Sequence, residues 1–289
     1  MMLANIYSIT KKEILDNIRN KWVIILTIIF TSLTLLASYA GSILSSGWQD
    51  LSGTISSMIV LVQYLISIIA LILGYSAIIG EIESGSMNSL LSLPTTRNEI
   101  LLGKFFGLGT ILSISIFIGF GLAGIIIGLN VDNVNYGEYL FFIAASILMG
   151  LIFLSIGFCI STVFKKRSSA MGAAIFTWVF FAIIWLFIIA AIVIATNSSL
   201  LDTSNASQSP HQIDINIPEV VYISEFFNPI SSYSELISLN VGTVDTSAYE
   251  NLDLGPPDYI NSINMFLAMC VWLFSFLLLA FWRFNKKDI

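Results

Sequence analysis

Charge is what this sequence has least of. Only 10% of its 289 residues are Asp, Glu, Lys or Arg, while 56% are hydrophobic. A soluble domain carries roughly a quarter of charged residues. With a mean hydropathy of +0.89, the chain is an integral membrane protein. Histidine occurs once, at His211, and cysteine twice, at Cys159 and Cys270. No H-E-x-x-H is present, and a lone loop histidine beside Pro210 reads as a polar residue, not a ligand. The two cysteines fall in apolar runs without metal-ligand spacing. They read as buried thiols, and a disulfide framework is excluded. A G-x-x-x-x-G-K-[ST] phosphate loop is missing, so the chain does not hold ATP by that route. A G-x-S-x-G is missing too, which leaves acyl transfer without a nucleophile motif.

What the sequence does have is apolar length. Six stretches, near 22–41, 54–79, 104–129, 139–164, 169–196 and 263–283, are each long enough to cross a hydrocarbon core. The first exceeds a signal-peptide core and follows an amphipathic segment, so it reads as a span. None of the six has Asp, Glu, Lys, Arg or His in its middle, whereas proton relays and ion-coupled carriers depend on such groups. Energy for any transport is therefore expected from another subunit. Gln63, Tyr64 and Tyr75 read as interhelical hydrogen-bonding groups. Met58, Met149, Met171, Met265 and Met269 read as packing residues and not as a copper path. Gly124 and Gly128 form a G-x-x-x-G that permits close helix approach, within the bundle or across a dimer.

Cations are absent from alternate loops. With six spans, all twelve Lys and Arg share the side of the N-terminus. Loops 42–53, 130–138 and 197–262 hold twelve acids and no Lys or Arg. The positive-inside rule then places both termini in the cytoplasm of a multi-pass plasma-membrane protein. Loop 197–262 holds five of the six prolines and two sequons, at Asn197 and Asn205. Its segment Val220–Leu239 is apolar enough to pack on the outer interface or on an extracytoplasmic partner.

Two cytoplasmic segments stand out. In residues 3–21, Tyr7, Ile14, Ile18 and Trp22 follow a helical stripe, while Lys11 and Lys12 lie off it. This pattern describes an amphipathic helix in the membrane interface. The second segment is "GEIESGSMNSLLSLPTTRNEILLGK", Gly80–Lys104. Met87, Leu90 and Leu91 share one face of a short helix that Ser86 caps and Pro94 stops. Thr96 and Glu99 form a capping box that opens the next helix. Glu81, Glu83 and Gly85 lead into the segment. A docking element for a cytoplasmic partner explains the acids and the two capped helices better than a connector resting on anionic lipid.

The Gly80–Lys104 pattern resembles the ABC-2 type permeases. These read roughly E-x-E-x-G-[ST]-hydrophobic-x-x-L-L-x-x-P-x-x-R-x-E-hydrophobic-x-x-G-K. Within that group it most resembles the permeases of nitrous-oxide-reductase copper-maturation systems, and next the gliding-motility permeases. "ITKKEILDNIRNKW" is similar to their interfacial helix, and "FFNPISSYSELISL" to an Asn-Pro segment before the last span. The resemblance implies a single all-α membrane domain over 1–289, with an interfacial helix at 3–21 and a coupling segment at 80–98. It implies a half-transporter that pairs with a second copy or close relative. ATP and Mg would then be held by separate ATPase subunits, which dock on Glu81, Glu83, Gly85, Ser86, Met87, Leu90, Leu91 and Pro94. Partners are thus ATPase subunits, a second permease, the lipid bilayer and a protein at loop 197–262, with no nucleic acid. No metal or catalytic residue is expected. A mechanical transmitter that moves no cargo, or a channel or secondary carrier, remains open beside transport.

Overall fold

The computed structural model describes residues 2–19, 21–44, 51–87, 95–130, 135–197, 218–242 and 257–287. Among these the chain forms helices and no strand. Helix α1 spans Met2–Ile18 and α2 Lys21–Leu44. Helix α3 runs from Leu51–Leu61 through a π-helical turn, Val62–Ile66, into Ser67–Tyr75. The short α4, Ile79–Glu83, follows a three-residue break. Then come α5, Arg97–Asn130, and α6, Tyr136–Val163. Helix α7 runs from Arg167–Val179 through a second π-helical turn, Phe180–Ile184, into Trp185–Thr196. Helices α8, Glu219–Ser224, and α9, Pro229–Val241, precede the last helix, α10, Ser262–Asn285.

Five stretches of the described residues are long and apolar enough to cross a membrane: Met58–Glu83, Arg97–Asn130, Tyr136–Val163, Arg167–Thr196 and Ser262–Asn285. The apolar stretch Ile24–Ala40 belongs to α2. Helix α6 is the centre of the bundle, with 67% of its apolar window buried, against 11% for α7. Small residues allow this. A Cβ on Gly74 of α3 would lie 2.7 Å from the Leu154 carbonyl oxygen and 2.9 Å from the Gly157 Cα. The two backbones therefore touch, a contact only glycine permits. Phe120 stacks edge-on between Phe30 and Phe142, with ring centroids 5.3 and 4.8 Å away. Gly124 and Gly128 receive the rings of Tyr139 and Tyr136, so that G-x-x-x-G serves packing within the chain. Met58, Met149, Met265 and Met269 are fully buried in the core, while Met171 is exposed.

The segment before α10 does not rest on the bundle's outer surface; it enters the bundle. Asn228 caps α9, accepting from the Ile230 N–H at 2.9 Å, and Pro229 occupies the first helical position. Gly242, at φ 64, closes the other end. The Asn228 amide also donates to the Phe181 carbonyl at 3.1 Å. Phe181 lies about 22 Å along the helix axis from the Thr196 end of α7, at 1.5 Å per residue. Tyr233, wholly buried, pairs with Ser146 of α6 at 3.0 Å, and Trp272 of α10 donates to Phe226 O at 3.0 Å. Residues 218–242 are therefore a re-entrant hairpin with its Asn-Pro turn at the inner tip. Its backbone groups find partners inside the protein, as burial requires.

Candidate functional site

Five chain segments meet at the cation-rich end of the bundle. The meeting begins where α3 breaks. Ser161, buried in α6, accepts from the backbone N–H groups of Ile78 and Ile79 at 3.0 and 2.9 Å. It thus does for α4 what a cap normally does from within the same chain segment. The break turns α4 away from α3 and directs Glu81 toward α5.

Lys104, on α5, is 2% exposed. Its Nζ lies 3.0 Å from Glu13 Oε2 of α1 and 2.7 Å from Glu81 Oε1 of α4. One ammonium thus binds three separate helices. A buried cation needs such partners, because its desolvation is costly. Two glycines bring α1 close enough. A Cβ on Gly103 would sit 2.7 Å from Ile9 Cβ, and one on Gly107 would sit 2.6 Å from Glu13 Cβ. Thr10 adds a bond to the Gly103 carbonyl at 3.1 Å.

The helix ends around this triad are also tied together. Glu99 Oε2 accepts from the Thr96 N–H at 2.8 Å, and Thr96 Oγ1 accepts from the Glu99 N–H at 3.3 Å. This is the expected capping box, and Asn5 of α1 donates to the same carboxylate at 3.3 Å. Glu83 Oε1 accepts from the Arg167 N–H at 2.7 Å. A carboxylate there also complements the positive N-terminal end of α7. Arg97 donates to the carbonyls of Phe284, Asn285 and Lys287, at 3.1, 3.4 and 2.6 Å, which closes the end of α10. Lys287 in turn donates to Phe164 O at 2.7 Å. Burial, with Arg283 and Lys165 nearby, holds its ammonium below the ordinary lysine range.

Residues 7–289 match the family described as ABC-2 family transporter protein. This chain is an ABC-2 transporter permease. It is similar to a protein described as a probable ABC transporter permease protein NosY from Stutzerimonas stutzeri, at 30% identity over 291 residues. That similarity covers 99% of this chain and 99% of the relative. A second protein of the same description, from Pseudomonas aeruginosa, is also 30% identical over 290 residues, covering 98% of this chain and 99% of its own.

Within the permease, the expected coupling residues divide. Glu81 points into the structure toward Lys104, while the exposed Glu83 reaches across the surface to the start of α7. Gly85 adopts φ +75, a left-handed conformation that suits a helix end. Ser86 is exposed, and its hydroxyl lies 3.0 Å from that of Ser84. Met87 is buried. Leu90, Leu91 and Pro94 lie outside the described residues, as does most of the short helix expected there. On α1, Tyr7 and Ile18 are exposed together with Leu3 and Leu15. Lys11 and Lys12 are exposed and Ile14 is half-buried. Trp22 falls in α2, with its side chain outside the described set. The expected stripe thus faces away from the bundle, and Ile6, Ile9, Thr10 and Glu13 face it. Sequence reasoning missed Lys104, Glu13, Gly103 and Gly107 as a unit. The available signal was a second G-x-x-x-G, Gly103 to Gly107, enclosing the lysine that opens the third apolar run.

Proposed function

We propose that the permease is the membrane half of an ATP-driven transporter and takes its energy from a separate ATPase that docks at residues 80–98. In this reading α2 supplies the sixth crossing and both termini are cytoplasmic. Helix α1 lies in the interface, with Leu3, Tyr7, Leu15 and Ile18 toward lipid. A second copy completes the transporter, and ATP with Mg stays on the ATPase. The observation that carries the reading is the Lys104 joint. A push on α4 reaches α1 and α5 through one buried ammonium, and reaches α7 through Glu83. A passive connector has no need for that arrangement. The same joint serves export of a cargo or mechanical work on an outer partner.

The test is co-purification of the permease with its ATPase. Leu90→Asp with Leu91→Asp is expected to abolish the complex while the permease keeps its monodisperse elution and melting temperature. A cysteine at the exposed Ser86 is expected to cross-link to the ATPase. An ATPase retained at wild-type level by the double variant, with no cross-link from position 86, overturns the docking assignment.

A further inference from the structure

The end of the bundle away from Lys104 holds a polar cavity that the ATPase-docking reading does not use. Its volume is about 270 Å³, and it lies between α3, α7 and the re-entrant hairpin. Both π-helical turns face it, Gln63 and Tyr64 from the first and Phe181 from the second. Such turns free a backbone carbonyl and recur at functional sites. Here a side chain from outside reaches a carbonyl of each turn: Trp178 donates to Tyr64 O at 3.0 Å, which also accepts from the Ser67 N–H, and Asn228 donates to Phe181 O at 3.1 Å. The cavity shape is therefore held from three sides.

Its chemistry is unbalanced. Glu225 and Glu235 line it from opposite arms of the hairpin. Glu225 Oε2 is buried with no hydrogen-bond partner, and so is the Trp185 Nε1 on the facing wall. No lysine or arginine occurs between Arg167 and Arg283, or between Lys21 and Arg97. Those are the stretches that build the cavity. Two carboxylates in a cavity without a cation of the protein's own invite one from outside. The space is too roomy for a bare metal ion, and no group of three or more metal-ligating residues occurs among the described residues. The aromatic walls of Tyr64 and Trp185 suit an organic cation. The free indole N–H calls for an acceptor on the same ligand.

We propose that this cavity binds an ammonium group carrying a nearby oxygen, as in an amino alcohol or its phosphoester. The ammonium sits between Glu225 and Glu235, and the oxygen accepts from Trp185 Nε1. This chemistry belongs equally to a free amine and to an ethanolamine lipid headgroup. The proposal stands independently of where the ATPase docks.

The experiment uses the full chain in dodecyl maltoside, titrated calorimetrically with ethanolamine and, as the uncharged control, propan-1-ol. A second arm measures by native mass spectrometry how much phosphatidylethanolamine the protein retains against phosphatidylglycerol. Saturable ethanolamine binding identifies a free-amine site, and selective retention of phosphatidylethanolamine identifies a headgroup site. In either case Glu225→Gln with Glu235→Gln is expected to weaken binding about tenfold or more, as loss of charge-assisted hydrogen bonds requires. Glu138→Gln, a carboxylate outside the cavity, is expected to leave binding unchanged. Elution profile and melting temperature show that the variants fold, and Trp185→Phe provides a milder second variant with a smaller loss. Absence of binding in both arms, equal binding of propan-1-ol, or unchanged binding in the double glutamine variant overturns the proposal.

Discussion

Replacing Lys104 by methionine removes the one cation from a joint that holds two carboxylates. The side chain keeps its length and apolar stem, so packing is largely preserved and the electrostatic change dominates. Lys104 is 2% exposed, and its partners Glu13 and Glu81 are 14% and 24% exposed. The joint is thus mostly shielded from water, and losing one member of a buried ion group costs about 3–5 kcal/mol. For a chain of this size that corresponds to a melting shift of roughly 6–20 °C. The excess of one negative charge fixes an order among the variants. Glu13→Gln and Glu81→Gln each leave one balanced pair and cost much less than Lys104→Met. The triple variant, which combines Lys104→Met with both glutamine substitutions, leaves no unpaired charge and recovers most of the loss. Its helices are nevertheless no longer tied by an ion group, so ATPase-driven activity stays low while stability returns. Melting followed by fluorescence-detected size exclusion checks the first part, and ATPase turnover of the reconstituted complex checks the second. A Lys104→Met melting temperature within about 2 °C of wild type, or a triple variant no better than Lys104→Met, refutes the reasoning.

Two further outcomes follow from the same geometry. Gly103→Ala places a Cβ 2.7 Å from Ile9 Cβ; it should cost about 1–3 kcal/mol and speed tryptic cleavage at Lys11 and Lys12 as α1 loosens. Glu83→Ala removes the acceptor at the start of α7; it should cost about 0.5–2 kcal/mol and raise amide exchange over residues 167–170, with Glu83→Gln intermediate.

The parts of this architecture written in short-range patterns were legible in the sequence. The capping box from Thr96 to Glu99 joins residues three apart, so local chemistry suffices to find it. The long apolar runs announce their helices by composition alone. Glu81 and Glu83 were readable only as acids, because their partners Lys104 and Arg167 lie on other helices. Glu13 sits off the apolar stripe of α1, which assigns it to water until the groove at Gly103 and Gly107 is seen. Gly124 and Gly128 drew attention at the same spacing, yet they receive the rings of Tyr139 and Tyr136 from the neighbouring helix. The re-entrant hairpin was hidden for a related reason. Its apolar residues read as a surface for the outer interface or a partner, and only Tyr233 against Ser146 and Asn228 against Phe181 show where it goes.

Helix α3 connects the two ends of this molecule, and its irregularities fall where the connections are made. The π-helical turn at Val62–Ile66 faces the cavity, and the break after Tyr75 feeds α4. About 15 Å of helix axis separates them. Along that length the backbone is pressed against α6 at Gly74 and Gly157, where neither side has a side chain to compress. A rigid rod with one soft point would move as a whole or bend there. This rod is secured at both irregularities by side chains of other helices, Trp178 at Tyr64 O and Ser161 at the Ile78 and Ile79 amides. Displacement of α4 is therefore shared among α1, α5 and α6 before it can reach the π-helical turn. The polar contacts of this protein are concentrated where helices change course, and those are the places where a bundle without charges in the middle of its spans can transmit force from one end to the other.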